Sequence, residues 1–461
     1  MNPWKACDIR GLYPDPVSPE LFRLIGRAVA SSLPEGARTL VAGDFRSSTP
    51  ALKGALIEGL VASGASLLDA GQIPTPVAYF AHHHYATGAV LIVTASHNPA
   101  AHNGLKLVIG SLPPLPDDLA ELRRRVAAGV FRVSKGTHEA LDPVPVYRQW
   151  ITERWKHLGQ RGGARGDSPA GLPAVVLDAG NGAWSRLAPP IFAACGIMPH
   201  CLFCDLDGTF PNRAPDCARP AALAALKSEV WKTQAQLGIA WDGDGDRVAF
   251  VDDGGSFVSS DEVSALLIRR LLARQPGARV VFDIKLSSLV RRTILDCGGT
   301  PIIERSGHTF IQRRMIEEDC LFGCEASGHY FYRELRGGDD GLFSALLMTE
   351  LVSESGSLRA LRSSLPPFFV TPDLRLPSTA LPYDQFVTRL HQEFHQARQT
   401  TIDGLRIEIA QGSILVRESV TEPVVTLRLE GSSPQTLRNL LATCRSLFPE
   451  VAGEIMRQAL T

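Results

Sequence analysis

Three times along this chain a continuous apolar run stops at a turn crowded with polar groups. Gly88–Val93 runs into Thr94-Ala95-Ser96-His97-Asn98-Pro99. Leu237–Trp241 runs into Asp242-Gly243-Asp244-Gly245-Asp246-Arg247, and Leu321–Gly323 into Cys324-Glu325-Ala326-Ser327-Gly328-His329. Strands without polar alternation are buried on both faces, which requires a parallel-rich sheet covered by helices. Ligands of open α/β sheets bind beyond the carboxyl ends of such strands. The pattern therefore predicts an α/β fold with its chemistry at strand ends.

The segments between fit this reading. Thr39–Ala42 and Ser66–Asp69 read as strands around a helical stretch, Pro50–Val61; Leu105–Val108 and a helix over Pro116–Ala128 follow. The pattern restarts at Ala174–Leu177, which ends in Asp178-Ala179-Gly180-Asn181-Gly182, and again with helix Asp261–Ala273, strand Arg279–Asp283 and the turn at Lys285. Beyond Pro366-Pro367 a helix near Tyr383–Gln396, strands Leu405–Ala410, Ser413–Val416 and Val424–Leu429, and a last helix predict a smaller α+β unit. The expected domains are 1–145, 146–254 and 255–367, each α/β with mixed, mostly parallel sheets, then 368–461. The Gly/Ala/Pro-rich stretch 162–171 reads as a loop.

The length of 461 residues suits three or four domains. A net charge of -1 provides no global field for nucleic acid or membrane surfaces, and no apolar run approaches the about 18 residues of a bilayer span. Met1–Arg10 carries Lys5, Asp8 and Arg10 without an apolar centre, so no secretory signal is read and the cytoplasm is expected. An odd count of nine cysteines argues against a disulfide framework. Cys201 and Cys204 have C-x-x-C spacing without a second pair, and are expected to be buried reduced thiols.

Each polar turn has a chemical and a plain reading. Ser96 at a sharp turn offers a hydroxyl nucleophile that needs an activating group or metal; six such residues also suit a strand-to-helix turn with a capping serine. Asp242, Asp244 and Asp246 converge on a hard cation, with glycines folding the backbone around it. The strand-like Val248–Val251 and the absence of a Glu at the twelfth position argue against an EF-hand, and three ligands leave positions open for a phosphate on magnesium. Glu325 and Ser327 suit vicinal sugar hydroxyls, and His329 a phosphate or a proton. A fourth turn, Arg417-Glu418-Ser419-Val420-Thr421-Glu422-Pro423, presents an arginine fork and an anion nest, or a plain hairpin. Arg10, Lys106, Lys285 and His308 add cations.

Together these turns resemble the α-D-phosphohexomutases, in order and spacing over nearly the whole chain: TASHNP the phosphoserine loop, DGDGDR the magnesium loop, CEASGH the sugar loop, RESVTEP the phosphate loop. The resemblance implies four domains around a central cleft and interconversion of hexose 1- and 6-phosphates through phosphoserine and a hexose 1,6-bisphosphate, which also serves as activator. It implies that Ser96 carries the phosphoryl group and joins Asp242, Asp244 and Asp246 around Mg2+. Arg10, His97, Lys106 and Arg247 then surround the reacting phosphoryl. Lys285, His308, His329, Glu325 and Ser327 line the sugar side, and Arg417, Ser419 and Thr421 hold the other phosphate. Lys106 and His329 are the candidate acid and base. CEASGH is closest to the GEMSGH of phosphomannomutase/phosphoglucomutase, whereas Thr421-Glu422-Pro423 is shared with phosphoglucosamine mutases. Cys324 stands where the family has glycine, and strains the loop if that position needs a positive φ. Phosphoglucosamine mutase is the alternative enzyme, a magnesium-dependent phosphatase a further one, and a non-catalytic sugar-phosphate-binding paralogue the alternative of another class. Hexose phosphates are the expected partners, and nothing in the sequence demands more than a monomer.

Overall fold

A computed structural model describes residues 2–160, 172–418 and 423–459. The stretch 162–171 lies outside the described residues. Three mixed sheets share one strand order. In the first, His102–Ile109, Ala89–Val93, Arg38–Gly43 and Ser66–Gln72 lie side by side; in the second, Val248–Asp252, Leu237–Trp241, Val175–Asp178 and His200–Leu202; in the third, Tyr330–Tyr332, Phe322–Cys324, Arg279–Asp283 and Thr300–Glu304. In each set the first pair is antiparallel and the other two parallel.

That arrangement fixes where the polar turns go. Each sits at the carboxyl end of a central strand and leads into an antiparallel neighbour. Thr94–Pro99 thus joins two strands, not a strand and a helix. Ala89–Val93 and Leu237–Trp241 are buried throughout, as continuous apolar runs require. Val248–Asp252 is a strand, so the aspartate turn lacks the flanking helix of an EF-hand.

One hydrophobic core runs through all three sheets, from Leu40 and Val90 through Trp241 to Phe282 and Phe343. Helix Val144–Trp155 links them, burying Tyr147, Ile151 and Trp155 in that core. Each large apolar side chain so buried contributes about 1.5–3 kcal/mol. The last unit has its own core, including Leu374, Phe386, Ile414, Leu427 and Phe448, on an antiparallel sheet ordered Phe369–Val370, Val424–Gly431, Gly412–Glu418, Leu405–Ile409, Arg398–Thr400. It docks through a buried arginine: Arg406 Nη1 donates to the carbonyls of Ile284 and Leu286, each at 2.7 Å.

All nine cysteines are free. Cys201 is exposed rather than buried, and Cys204 is half-buried, because strand His200–Leu202 is the edge of its sheet. Cys324 lies in extended strand Phe322–Cys324, fully buried, and is absent from the positive-φ residues, so it strains nothing. Among the described residues no helix is long and apolar enough to cross a membrane.

Candidate active site

The three hairpin turns meet. Ser96 takes a left-handed backbone at φ +50°, and its N–H is held by Thr94 Oγ1 at 2.9 Å. Its Oγ donates to Asp242 Oδ2 at 2.7 Å, and His97 Nδ1 lies 3.3 Å away. This joins the first turn to the second. Thr75 adds a second link, its N–H donating to the Asp244 carbonyl (3.0 Å) and its hydroxyl to Asp244 Oδ2 (2.8 Å). A third tie joins the second turn to the last, since Arg247 and His329 form a β-bridge and the Val248 N–H donates to the Gly328 carbonyl at 3.1 Å.

Local sequence explains the tightness. A Cβ on Gly243 would lie 2.6 Å from the Ser96 carbonyl oxygen. Gly245 has φ +85°, and a Cβ there would lie 2.3 Å from Trp184 Nε1, which donates to the Gly245 carbonyl at 2.8 Å. Both positions exclude side chains.

Asp242, Asp244 and Asp246 are buried, and each offers a carboxylate oxygen within 4.8 Å of the others. Burial, then Asp244 and Asp246 beside it, pushes the Asp242 carboxyl well up. Burial acts against charge on Asp246 too, but Lys106, His329 and Arg247 together outweigh it and hold that carboxyl well down. Lys106 Nζ donates to Asp244 Oδ2 at 2.9 Å and to Asp246; burial disfavours its charge, yet the two aspartates raise it well above the ordinary lysine value. Among the described residues, Asp244 Oδ1 is buried without a hydrogen-bond partner. A crowded, all-oxygen, incompletely satisfied set of this kind fits a hard divalent cation such as magnesium.

In the third turn, Ser327 Oγ donates to Glu325 Oε2 at 2.8 Å, and His329 Nδ1 lies 2.9 Å from the same oxygen. His329 Nε2 is 3.2 Å from Asp246 Oδ1 and 3.3 Å from Arg247 Nε. Burial opposes charge on His329, but Asp246 and Glu325 dominate and lift it to about 10. Glu325 is held below the usual carboxylate range by His329 against the cost of burial. His308 stacks 6.0 Å from His329 and is lowered to about 4, by burial and then by Lys106. His97 is likewise lowered, by burial and then Arg247.

Arg10 reaches the serine turn through Asn98 Oδ1 at 3.0 Å, its other side paired with Asp8 at 2.6 Å. The Lys285 N–H caps onto Asp283 Oδ1 at 2.9 Å. Arg417 pairs with Asp403 at 2.7 Å, and among the described residues no polar contact joins it to the acidic cluster. Ser419 and Thr421 lie outside the described residues.

Sequence reasoning missed the support of the serine turn. Arg46 is fully buried and donates to the carbonyls of Ser96 (2.7 Å), Asn98 (2.6 Å), Pro99 (2.7 Å) and His102 (3.1 Å), with Nε on Asp44 Oδ2 at 3.0 Å. An Asp-x-Arg directly after buried strand Arg38–Gly43 was the available signal. It also missed Asp339, buried 3.7 Å from His329 Nε2 and raised to about 7 by burial and then Asp246.

Four family descriptions match in order: phosphoglucomutase/phosphomannomutase alpha/beta/alpha domain I over residues 3–132, domain II over 164–255, domain III over 259–368, and the C-terminal domain over 385–446. A phosphomannomutase/phosphoglucomutase of Pseudomonas aeruginosa is 33% identical over 98% of this chain and 96% of its own length. A phosphoglucomutase of Neisseria meningitidis is 33% identical over 95% and 94%. The crystal structure of a phosphoglucomutase/phosphomannomutase family protein from Burkholderia thailandensis superimposes with a TM-score of 0.88 at 32% identity, covering 98% of both chains.

Proposed function

The chain belongs to the phosphoglucomutase/phosphomannomutase family, and on that premise we propose that it interconverts hexose 1-phosphates and 6-phosphates, of mannose or glucose, through a phosphoryl group carried on Ser96. The observation that carries this reading is the Ser96 Oγ contact with Asp242 at 2.7 Å, which sets a strained, rigidly held hydroxyl on a buried carboxylate cluster.

Asp242, Asp244 and Asp246 would hold magnesium with an oxygen of the phosphorylated serine, and the ion when bound offsets charge on the transferring phosphoryl group. Every other role falls to the chain itself. The Ser96 Oγ–P bond breaks as a sugar hydroxyl bonds to phosphorus, and the hydroxyl proton passes to a base. Lys106, held charged by its two aspartates, suits stabilisation of the equatorial oxygens more than proton removal. His329, charged at neutral pH, suits donation of a proton to a departing oxygen. Arg10, His97 and Arg247 surround the phosphoryl group. Glu325 and Ser327 read sugar hydroxyls beside Lys285 and His308, and Arg417, with Ser419 and Thr421, grips the phosphate not in transfer. The hexose 1,6-bisphosphate then turns over in the cleft and returns its other phosphate to Ser96. Boundaries near 145, 254 and 367 separate the four units, and the last closes over the cleft to exclude water.

The test is turnover. Protein with magnesium and a trace of glucose 1,6-bisphosphate is given, in turn, the 1-phosphates of mannose, glucose and glucosamine. Formation of 6-phosphate from the two neutral sugars, lost in Ser96→Ala, is expected. A preference for glucosamine 1-phosphate would reassign the sugar. Release of inorganic phosphate alone would reassign the reaction to hydrolysis.

A further inference from the structure

The phosphate-gripping arginine and the sugar-reading turn sit on different units, yet a short polar chain connects them. It starts at Asp403, in the turn between strands Arg398–Thr400 and Leu405–Ile409. One carboxylate oxygen, Oδ2, takes a bond from Arg417 Nη2 at 2.7 Å and from the Ser306 N–H, on the neighbouring unit, at 3.2 Å. Ser306 Oγ in turn donates to Asp283 Oδ1 at 2.5 Å, and Asp283 Oδ2 accepts the Ala326 N–H at 3.3 Å. The adjacent Gly307 N–H donates to Glu325 Oε1 at 2.8 Å. Four residues, Asp403, Ser306, Asp283 and Gly307, thus run from the arginine fork to Glu325 and Ala326 of the Glu325–Ser327 turn.

The turn is built against the arginine. Gly404 has φ +90°, and a Cβ there would lie 2.3 Å from the Val416 carbonyl oxygen and 2.6 Å from Arg417 Cγ. A side chain at 404 would push Asp403 away from the fork. Nη2 is thereby engaged, and among the described residues the buried Nε–H has no hydrogen-bond partner. A carboxylate that fixes one edge of a fork leaves the remaining donors aimed for bidentate capture of an oxyanion.

We propose that Asp403 is a positioning residue: it orients Arg417 for the phosphate that is not being transferred, and through the Ser306 N–H ties that grip to the sugar-reading turn. It touches neither phosphate nor sugar. This rests on the reading of Arg417 as a phosphate ligand. Because either phosphate of the bisphosphate comes to Arg417 in alternate half-reactions, Asp403 acts equally on both directions.

The experiment is a double-mutant cycle on the full chain, using Asp403→Ala, Arg417→Ala and the double variant, with KM and kcat for glucose 1-phosphate and glucose 6-phosphate. Melting temperatures confirm that each variant is folded. Asp403→Asn is carried alongside, as it keeps an acceptor for Ser306 but not the charge facing Arg417. Asp403→Ala is expected to raise KM about tenfold in both directions, the size of one charge-assisted hydrogen bond, with kcat changed less than twofold. In the Arg417→Ala background the same substitution should change KM less than twofold, and Asp403→Asn should fall between wild type and alanine. A role in folding alone would lower the melting temperature and add in full to Arg417→Ala. An Arg417→Ala effect on KM with Asp403→Ala inert, or with fully additive effects, overturns the proposal alone. An inert Arg417→Ala overturns the phosphate assignment and the proposal with it.

Discussion

Replacing Arg46 by alanine tests how the serine turn is held. The guanidinium bonds four backbone carbonyls of residues 96–102 and one oxygen of Asp44, and stacks 5.0 Å from the Phe210 ring. Its loss strands Asp44, which is 1% exposed, as an unpaired buried charge, and breaking such a pair costs about 3–5 kcal/mol. The carbonyls add to this where water cannot refill the space. Taking about 4 kcal/mol, and about 2–4 °C per kcal/mol for a unit of this size, the first melting transition should fall by about 8–16 °C. Activity should fall further than stability explains, because a displacement of about 1 Å at the reacting atom costs about a hundredfold. Arg46→Lys, with one point donor in place of a fork, should be intermediate in both. Calorimetry and steady-state kinetics at a temperature where the variant is folded measure the two effects. A melting shift within about 2 °C together with kcat within twofold of wild type would refute the clamp.

Three further outcomes follow from the geometry. Gly245→Ala, at φ +85° and against Trp184, should destabilise the protein and weaken magnesium binding, both readable by thermal melts with and without metal; equal stability would show the turn can relax. Chelation should lower the melting temperature of wild type, since an ion at a hundred times its Kd adds about 2.7 kcal/mol, and Asp244→Asn should lose that increment. Asp340 caps helix Gly341–Ser355 by accepting the Leu342 and Phe343 N–H groups and the Tyr147 hydroxyl, and burial raises it from 3.8 to about 6. The folded state therefore binds the extra proton: the contribution of Asp340 to stability is full below about pH 4 and is lost as pH rises through about 6, by about 3 kcal/mol for two pKa units. Asp340→Asn should remove that slope in denaturant titrations between pH 4 and 7, and an unchanged slope would contradict it.

The strands that could be read from sequence were those whose burial leaves no choice: Leu237–Trp241 and Arg279–Asp283 fall where the apolar runs place them. The antiparallel partners were less legible. Leu105–Val108 and Val248–Val251 read as strands, but their antiparallel direction is decided by pairing with Ala89–Val93 and Leu237–Trp241, which no local pattern shows. Cys201 was misjudged because exposure at a sheet edge depends on strand order, not on residue type. Among site residues, the aspartate turn declares itself through its spacing, whereas Arg46, Asp339 and Asp403 act on partners 10 to 97 positions away, a separation no local pattern encodes.

In the proposed reaction Ser96 gives its phosphoryl group to sugar. Incubating the protein with isotopically labelled glucose 1,6-bisphosphate and magnesium, mapping the label by peptide mass spectrometry, and then chasing with unlabelled glucose 1-phosphate tests it directly. One phosphate per chain on Ser96, none on Ser96→Ala, and transfer of the label during the chase into hexose bisphosphate are expected. Label on another residue, or its appearance in the chase as inorganic phosphate alone, would contradict it.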